Sequence, residues 1–202
     1  MNMRMWLAWG LLVWSMSLVA CSVTRSRPEV HHYTLNLAVP ETSGTGRVSI
    51  VVRPIGARDP YNQERLVYRT SAYASDVYNY HRWASPPGEQ VTTWTRRYLR
   101  GSGLFAQVFP NADATADFVL DGTVQQFEEI DRENTWEAAI SVDFWLLRAG
   151  ESTPVWFQSY SATQRATKRN PEAIAEAMSR GLENILARLT ADLTPMVTQP
   201  VP

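Results

Sequence analysis

Cysteine, lysine and histidine are scarce: the 202 residues hold one cysteine, Cys21, one lysine, Lys168, and three histidines. A lone cysteine excludes an internal disulfide, so the fold must stand on its core. It also removes every metal motif built on cysteine pairs. His31 and His32 are adjacent, and an extended chain points such neighbours to opposite faces, so they make a poor metal pair. His81 stands between Tyr80 and Arg82 with no carboxylate fixed beside it by sequence. No Gly-rich phosphate loop follows a strand pattern, and neither His-Glu-x-x-His nor Gly-x-Ser-x-Gly occurs. A Ser/His/Asp set need not be close in sequence, so the missing elbow weakens that reading without closing it. Charge of one sign is missing too. With 19 basic and 20 acidic residues the chain offers no surplus for nucleic acid or an anionic surface. No catalytic residue, cofactor or metal is expected from these residues.

An apolar run of membrane-spanning length is also lacking. Met5 to Ala20 is apolar apart from Gly10, Ser15 and Ser17, and falls short of the roughly 20 residues that cross a bilayer comfortably. Arg4 gives it a positive start, and it ends in Leu18-Val19-Ala20-Cys21. A charged start, a short apolar stretch and a small residue before the cut site describe a signal peptide, not a stop-transfer helix. Leucine three residues before the cysteine and alanine just before it make a lipobox, with Cys21 the lipidated new N-terminus. The blander alternative is an ordinary signal or short anchor with Cys21 incidental. One acyl chain adds about 0.8 kcal/mol per buried methylene and holds only marginally, so the three chains usual on a bacterial lipoprotein make the anchor effectively permanent. Ser22 follows the cysteine where Asp often retains a lipoprotein at the inner membrane, which favours the outer membrane with the body in the periplasm.

Residues 1–20 therefore read as signal, 21–30 as lipidated N-terminus and tether, 31–195 as one folded domain, and 196–202 as a flexible tail closed by prolines. Removing the signal leaves 182 of the 202 residues, enough for a sizeable core. Tyr33 to Leu37 alternates like a strand, and 40–46 is a Gly-rich turn. Arg47 to Pro54 is a strand whose Val51 faces away from Val48, Ile50 and Val52, implying burial on both sides. Ile55 to Asn62 reads as loop. Arg65–Arg69 and Asp76–Tyr80 form a hairpin across Thr70–Ser75. Ser85-Pro86-Pro87 is a helix start with serine as its cap; Val91, Trp94 and Tyr98 share a face, and Gly101 and Gly103 end the helix. Gln107–Phe109 is a short edge strand, and Asp113 to Asp117 a turn.

Phe118, Leu120, Gly122 and Val124 alternate until Phe127 breaks parity, which places a bulge at Gln125-Gln126. Glu128, Glu129 and Asp131 read as a solvated strand end, with Glu133 in the turn; an acid/base or calcium role is the less favoured alternative. Trp136, Ala138, Ile140, Val142, Phe144 and Leu146 give the cleanest alternation, and a third strand over 155–166 completes a meander. Asn170-Pro171 starts a long helix with Ile174, Met178, Leu182, Ile185, Leu189 and Leu193 on one face, stopped at Pro195. The sum is α/β of the α+β type: a mixed, largely antiparallel sheet with two principal helices packed on it. Tyr68, Tyr73, Tyr78, Tyr80 and Trp83 crowd one region. Core is the favoured reading for it, with Tyr73, Tyr78, Tyr80 and Trp83 the candidate partner surface otherwise.

Several stretches then carry a resemblance: the lipobox; Tyr33-Thr34-Leu35; Val51-Val52-Arg53-Pro54; Leu66-Val67-Tyr68-Arg69 with Trp83; Leu99 to Phe105; and Phe118-Val119-Leu120-Asp121-Gly122 followed by Phe127-Glu128. Their order and spacing resemble the ABC-type transport auxiliary lipoproteins, including the PqiC (paraquat-inducible protein C) type. The resemblance implies a non-catalytic outer-membrane lipoprotein of an MCE/ABC-type lipid transport system. It further implies an MCE-domain protein as partner, the outer membrane held through acyl chains, and in some members a homo-oligomeric ring. Such a protein docks a periplasm-spanning conduit to the outer membrane. Two other readings stay open: a lipoprotein for outer-membrane assembly or secretion, and a periplasmic lipid-binding carrier with its own pocket.

Overall fold

The structure is a computed structural model and describes residues 28–42, 44, 46–110, 116–132 and 135–198. Everything in it is arranged about one long strand, β7 (Phe118–Arg132). Along one edge β7 pairs over its full length with antiparallel β8 (Thr135–Arg148), from Phe118 opposite Arg148 to Arg132 opposite Thr135. The register shifts between Val124 and Gln126, where the broken parity of the sequence placed a bulge. β9 (Trp156–Arg165) pairs antiparallel on the far side of β8 and completes the meander.

The other edge of β7 is shared by three short strands, all parallel to it and in chain order. β2 (Ser49–Val52) sets Ile50 opposite Phe118, β3 (Gly56–Ala57) sets Gly56 opposite Thr123, and β4 (Arg65–Arg69) sets Val67 opposite Glu128. Successive parallel strands ordinarily need long crossovers. None is needed here, because the three are pieces of one run along the same edge, interrupted where the chain loops out. β3 therefore lies inside the stretch read from sequence as loop: two residues give no periodicity to detect.

Outside β4 lies antiparallel β5 (Ser75–Trp83), then β1 (His31–Tyr33) parallel to β5; outside β2 lies β6 (Gln107–Phe109), the expected edge strand. The expected strand over Tyr33–Leu37 is mostly not sheet, although its alternation is real and Leu35 and Leu37 are buried. Beyond Tyr33 the backbone leaves β5 and runs along the helices, which supply its partners. The Leu35 amide donates to Gln90 Oε1 at 2.8 Å and the Asn36 amide to Ser179 Oγ at 3.1 Å.

Both helices cover one face. α1 (Pro87–Gly101) packs on β2, β3, β6 and β7, and α2 (Pro171–Thr198) on β8 and β9. Phe118, Leu120, Val124, Phe127, Ile140, Val142, Phe144 and Leu146 meet the α2 stripe of Ile174, Met178, Leu182, Ile185, Leu189 and Leu193, none more than 2% exposed. Val51 is buried on the opposite face, as its parity required, together with Ala139 and Leu147.

Two helix boundaries differ from expectation. Ser85 does not cap α1: Pro86 is the N-cap residue, Pro87 occupies the first turn, and no side chain caps the end. Serine followed by two prolines stands one position too early, and its carbonyl instead accepts from Gln90 Nε2. α2 begins as expected, with the Ala173 amide donating to Asn170 Oδ1 at 2.8 Å, but it passes through Pro195 and ends at Thr198. Proline inside a helix costs about 3 kcal/mol through a lost hydrogen bond and a clash. Leu193 and Val197, both buried, hold the last turn on the core, and the Thr194 and Thr198 hydroxyls donate back to the carbonyls of Thr190 and Thr194. Residues 196–198, read from sequence as tail, are thus helical.

Candidate functional site

Cys21, with Leu18, Val19 and Ala20, lies outside the described residues. The aromatic candidates divide. Trp83 is 2% exposed and meets Phe127 edge-on at 5.0 Å between ring centroids, so it belongs to the core and not to a partner surface. The cause is the length of β5: it continues beyond Tyr80 and ends between β1 and β4, where Tyr33 stands opposite Trp83. Tyr78 is half-buried and directed at Glu129. Tyr73 and Tyr80 remain in solvent, at 99% and 47% exposure.

Glu128 and Glu129 correct the expectation of a solvated strand end. β7 runs on to Arg132, so both side chains sit within the sheet, each 1% exposed, on opposite faces. Glu133 lies outside the described residues. Glu128 faces away from the helices and is fully partnered. Arg69 donates through Nε at 2.8 Å and Nη2 at 3.1 Å, Tyr61 through its hydroxyl at 3.0 Å and Gln126 through Nε2 at 2.8 Å. Burial by itself would raise its pKa; Arg69, Gln126 and Tyr61 together outweigh burial and hold the carboxyl below its ordinary range.

Glu129 faces the helix side with Phe127 and has a weaker set. The Tyr78 hydroxyl donates at 3.0 and 3.2 Å to its two oxygens, and no arginine among the described residues reaches it. The Arg169 guanidinium goes to Asp131 at 3.0 Å instead. Burial, reinforced by the negative charge of Asp131, pushes Glu129 up to about 7, against the opposing Tyr78 bond and Arg169 charge. The same burial, together with the neighbouring carboxylate, pushes the Tyr78 hydroxyl well up.

The aromatic network continues from there. His81 lies edge-on to Tyr78 at 5.3 Å, stacks with His31 at 5.4 Å, and has Nδ1 2.9 Å from the Tyr33 hydroxyl. Burial first, then the nearby His31, lowers its pKa. Among the described residues His81 thus has tyrosine neighbours and no serine or carboxylate in the relay a nucleophilic triad needs. Among the described residues, no three His, Cys, Asp or Glu side chains are grouped so as to hold a metal ion. Among the described residues, several surface clefts are open and carry mixed polar and apolar walls. One runs between the β1 segment and α2, lined by Thr34, Asn36, Glu172, Glu176 and Glu183; another, at the end of β9, by Trp136, Arg165, Lys168 and Arg169. Nothing in the sequence marked Glu129 as the carboxylate without an arginine, because the two adjacent glutamates look alike until the pleat sends them to opposite faces.

Among the described residues no helix is long and apolar enough to cross a membrane. No curated protein matches the chain. A solved Xanthomonas campestris protein of the DUF330 family model superposes with a TM-score of 0.72 at 20% identity, covering 82% of this chain and 95% of that one. A hypothetical protein from Chlamydia trachomatis superposes with a TM-score of 0.51 at 11% identity, over 76% and 99% of the two chains. At these identities the likeness is one of fold. The family model described as ABC-type transport auxiliary lipoprotein component matches residues 33–190, from the last residue of β1 to deep in α2. The chain belongs to the ABC-type transport auxiliary lipoprotein family.

Proposed function

We propose that the protein is a non-catalytic outer-membrane lipoprotein of an MCE/ABC-type lipid transport system, lipidated at Cys21, which docks a periplasm-spanning conduit to the outer membrane. The observation that carries this reading is the family match over residues 33–190, placed a short tether after Leu18-Val19-Ala20-Cys21. The interior supports an adaptor over a lipid carrier. A bound acyl chain needs an enclosed, mostly apolar cavity. Among the described residues the space between sheet and helices is filled by buried side chains, and the clefts beside Trp136 and beside Thr34 are open with mixed polar and apolar walls. The homo-oligomeric ring implied by the resemblance remains part of the proposal, and native mass spectrometry of the lipidated protein measures it.

Crosslinking in intact cells followed by pull-down tests the partner. An MCE-domain protein is expected among the crosslinked species, and its absence from repeated captures overturns the conduit reading. Membrane fractionation of Cys21→Ser tests the anchor. With the signal removed, the variant body is expected in the soluble periplasmic fraction; retention in the outer membrane overturns lipidation at Cys21.

A further inference from the structure

We infer that the tip of the β4–β5 hairpin is the membrane-facing end of the domain, with Tyr73 seated in the interface of the bilayer that holds the anchor. This rests on the proposed lipidation of Cys21. The argument starts from strand direction. β1 runs parallel to β5, with His31 opposite His81 and Tyr33 opposite Trp83. The chain therefore enters β1 from the side on which β5 begins, at Ser75, next to the hairpin tip. Ser75 lies six residues before His81. At about 3.3 Å per residue the tip projects roughly 20 Å beyond the start of β1. Cys21 lies ten positions before His31, and that length extended spans at most about 35 Å. Fully extended, that length exceeds the projection of the tip by about 15 Å. To bring the opposite end of the sheet to the bilayer, it would have to reverse direction and run back along the domain.

The tip itself fits an interfacial role. Tyr73 is 99% exposed and flanked by Ser71, Ala72, Ala74 and Ser75, with no charged side chain between Arg69 and Asp76. Tyrosine carries an apolar ring and a polar hydroxyl and favours the level of lipid headgroups. The loop is held in shape. The Thr70 amide donates to the Ala74 carbonyl at 3.1 Å, and Arg69 Nη1, whose guanidinium also grips buried Glu128, reaches the Ala72 carbonyl at 3.4 Å. Val30, just before β1, and Tyr80, just before His81, are exposed along the same approach. One aromatic ring adds little affinity beside an acyl anchor; what it contributes is orientation. With this end down, the β2, β6 and β8–β9 end is presented toward the periplasm, where a partner would meet it.

The lone cysteine makes a direct test possible. In the lipidated full chain the Cys21 thiol is consumed, so Tyr73→Cys and, on the β8–β9 turn at the opposite end, Glu151→Cys each present one thiol for an environment-sensitive nitrobenzoxadiazole label. The labelled proteins are reconstituted on phosphatidylethanolamine–phosphatidylglycerol vesicles containing nitroxide-labelled lipid. Several-fold stronger quenching at position 73 than at 151 is expected. Quenching that is equal, reversed or absent at both positions, in protein that floats with the vesicles, overturns the orientation and leaves the anchor standing. Protein that fails to float overturns the anchor and this inference with it.

Discussion

Glu129 offers the sharpest test of how the sheet is built. Its carboxyl stands at about 7 in the folded protein against an ordinary value near 4.5, with burial the main cause. A carboxyl with a raised native pKa binds its proton more tightly folded than unfolded. Below pH 4.5 both states hold the proton, and the group has no effect on stability. As pH rises from 4.5 to 7 the unfolded chain releases its proton and the native state does not, so stability falls; above 7 the loss is complete. A difference of about 2.5 pH units, at about 1.4 kcal/mol per unit, corresponds to a loss of about 3 kcal/mol. Glu129→Gln removes the titration and keeps an oxygen for the Tyr78 hydroxyl. Its new amide costs about 1 kcal/mol if it finds no acceptor. The variant is therefore expected to be about 2 kcal/mol more stable than the parent at pH 8 and no more stable at pH 4.5. Urea unfolding of the unlipidated body across that range measures the difference. His81, lowered by burial, works the opposite way, losing stability as pH falls below 6.5, but it is present in both proteins and cancels in the comparison. Glu128, held below its ordinary value, titrates beneath the window. A stability difference that stays flat with pH would refute the reasoning.

Three further sets of substitutions probe other parts of the structure. Arg69→Met strands the buried Glu128 carboxylate; breaking such a pair costs about 3–5 kcal/mol, at the lower end here because Arg69 is 30% exposed. Adding Glu128→Gln should recover part of that loss in chemical denaturation, and a double variant no better than the single one would argue against the pairing. Trp83→Ala is expected to cost about 3–5 kcal/mol as a core truncation, whereas Tyr73→Ala should stay within about 0.5 kcal/mol; similar thermal shifts for the two would contradict their placement. At Gly181, where α2 crosses β8, an added Cβ would lie 3.0 Å from Ile140 Cγ2. Gly181→Val should therefore destabilise by about 1–3 kcal/mol, and by less in an Ile140→Ala background, which lacks the Cγ2 methyl, as thermal melts of the four proteins measure.

Much of this was legible because its causes are local. The strict alternation from Trp136 to Leu146 defines β8, the parity break at Phe127 defines the bulge in β7, and the stripe from Ile174 to Leu193 defines the buried face of α2. Asn170 caps its helix from the next turn, so its role could be read without a partner. What escaped depended on distant chain. Tyr33 to Leu37 alternates as a strand would, yet Gln90 and Ser179 from two helices take its backbone donors. β3 exists only because β7 offers an edge for it, and the last turn of α2 persists past Pro195 because Val197 finds the core.

By itself, the sequence determined the two-helix, one-sheet composition, the single cysteine, and the lack of any local motif for catalysis, since each depends on residue type and near-neighbour spacing. Tertiary structure alone decided which aromatic residues face water, for that turned on where β5 ends and what flanks it. It also separated Glu128 from Glu129. One pleat sends the first to Arg69 and the second into an apolar layer with Tyr78 as its hydrogen-bond donor. Their difference is a matter of surroundings assembled from β4, β5 and β8, which no reading of the two residues in line could supply.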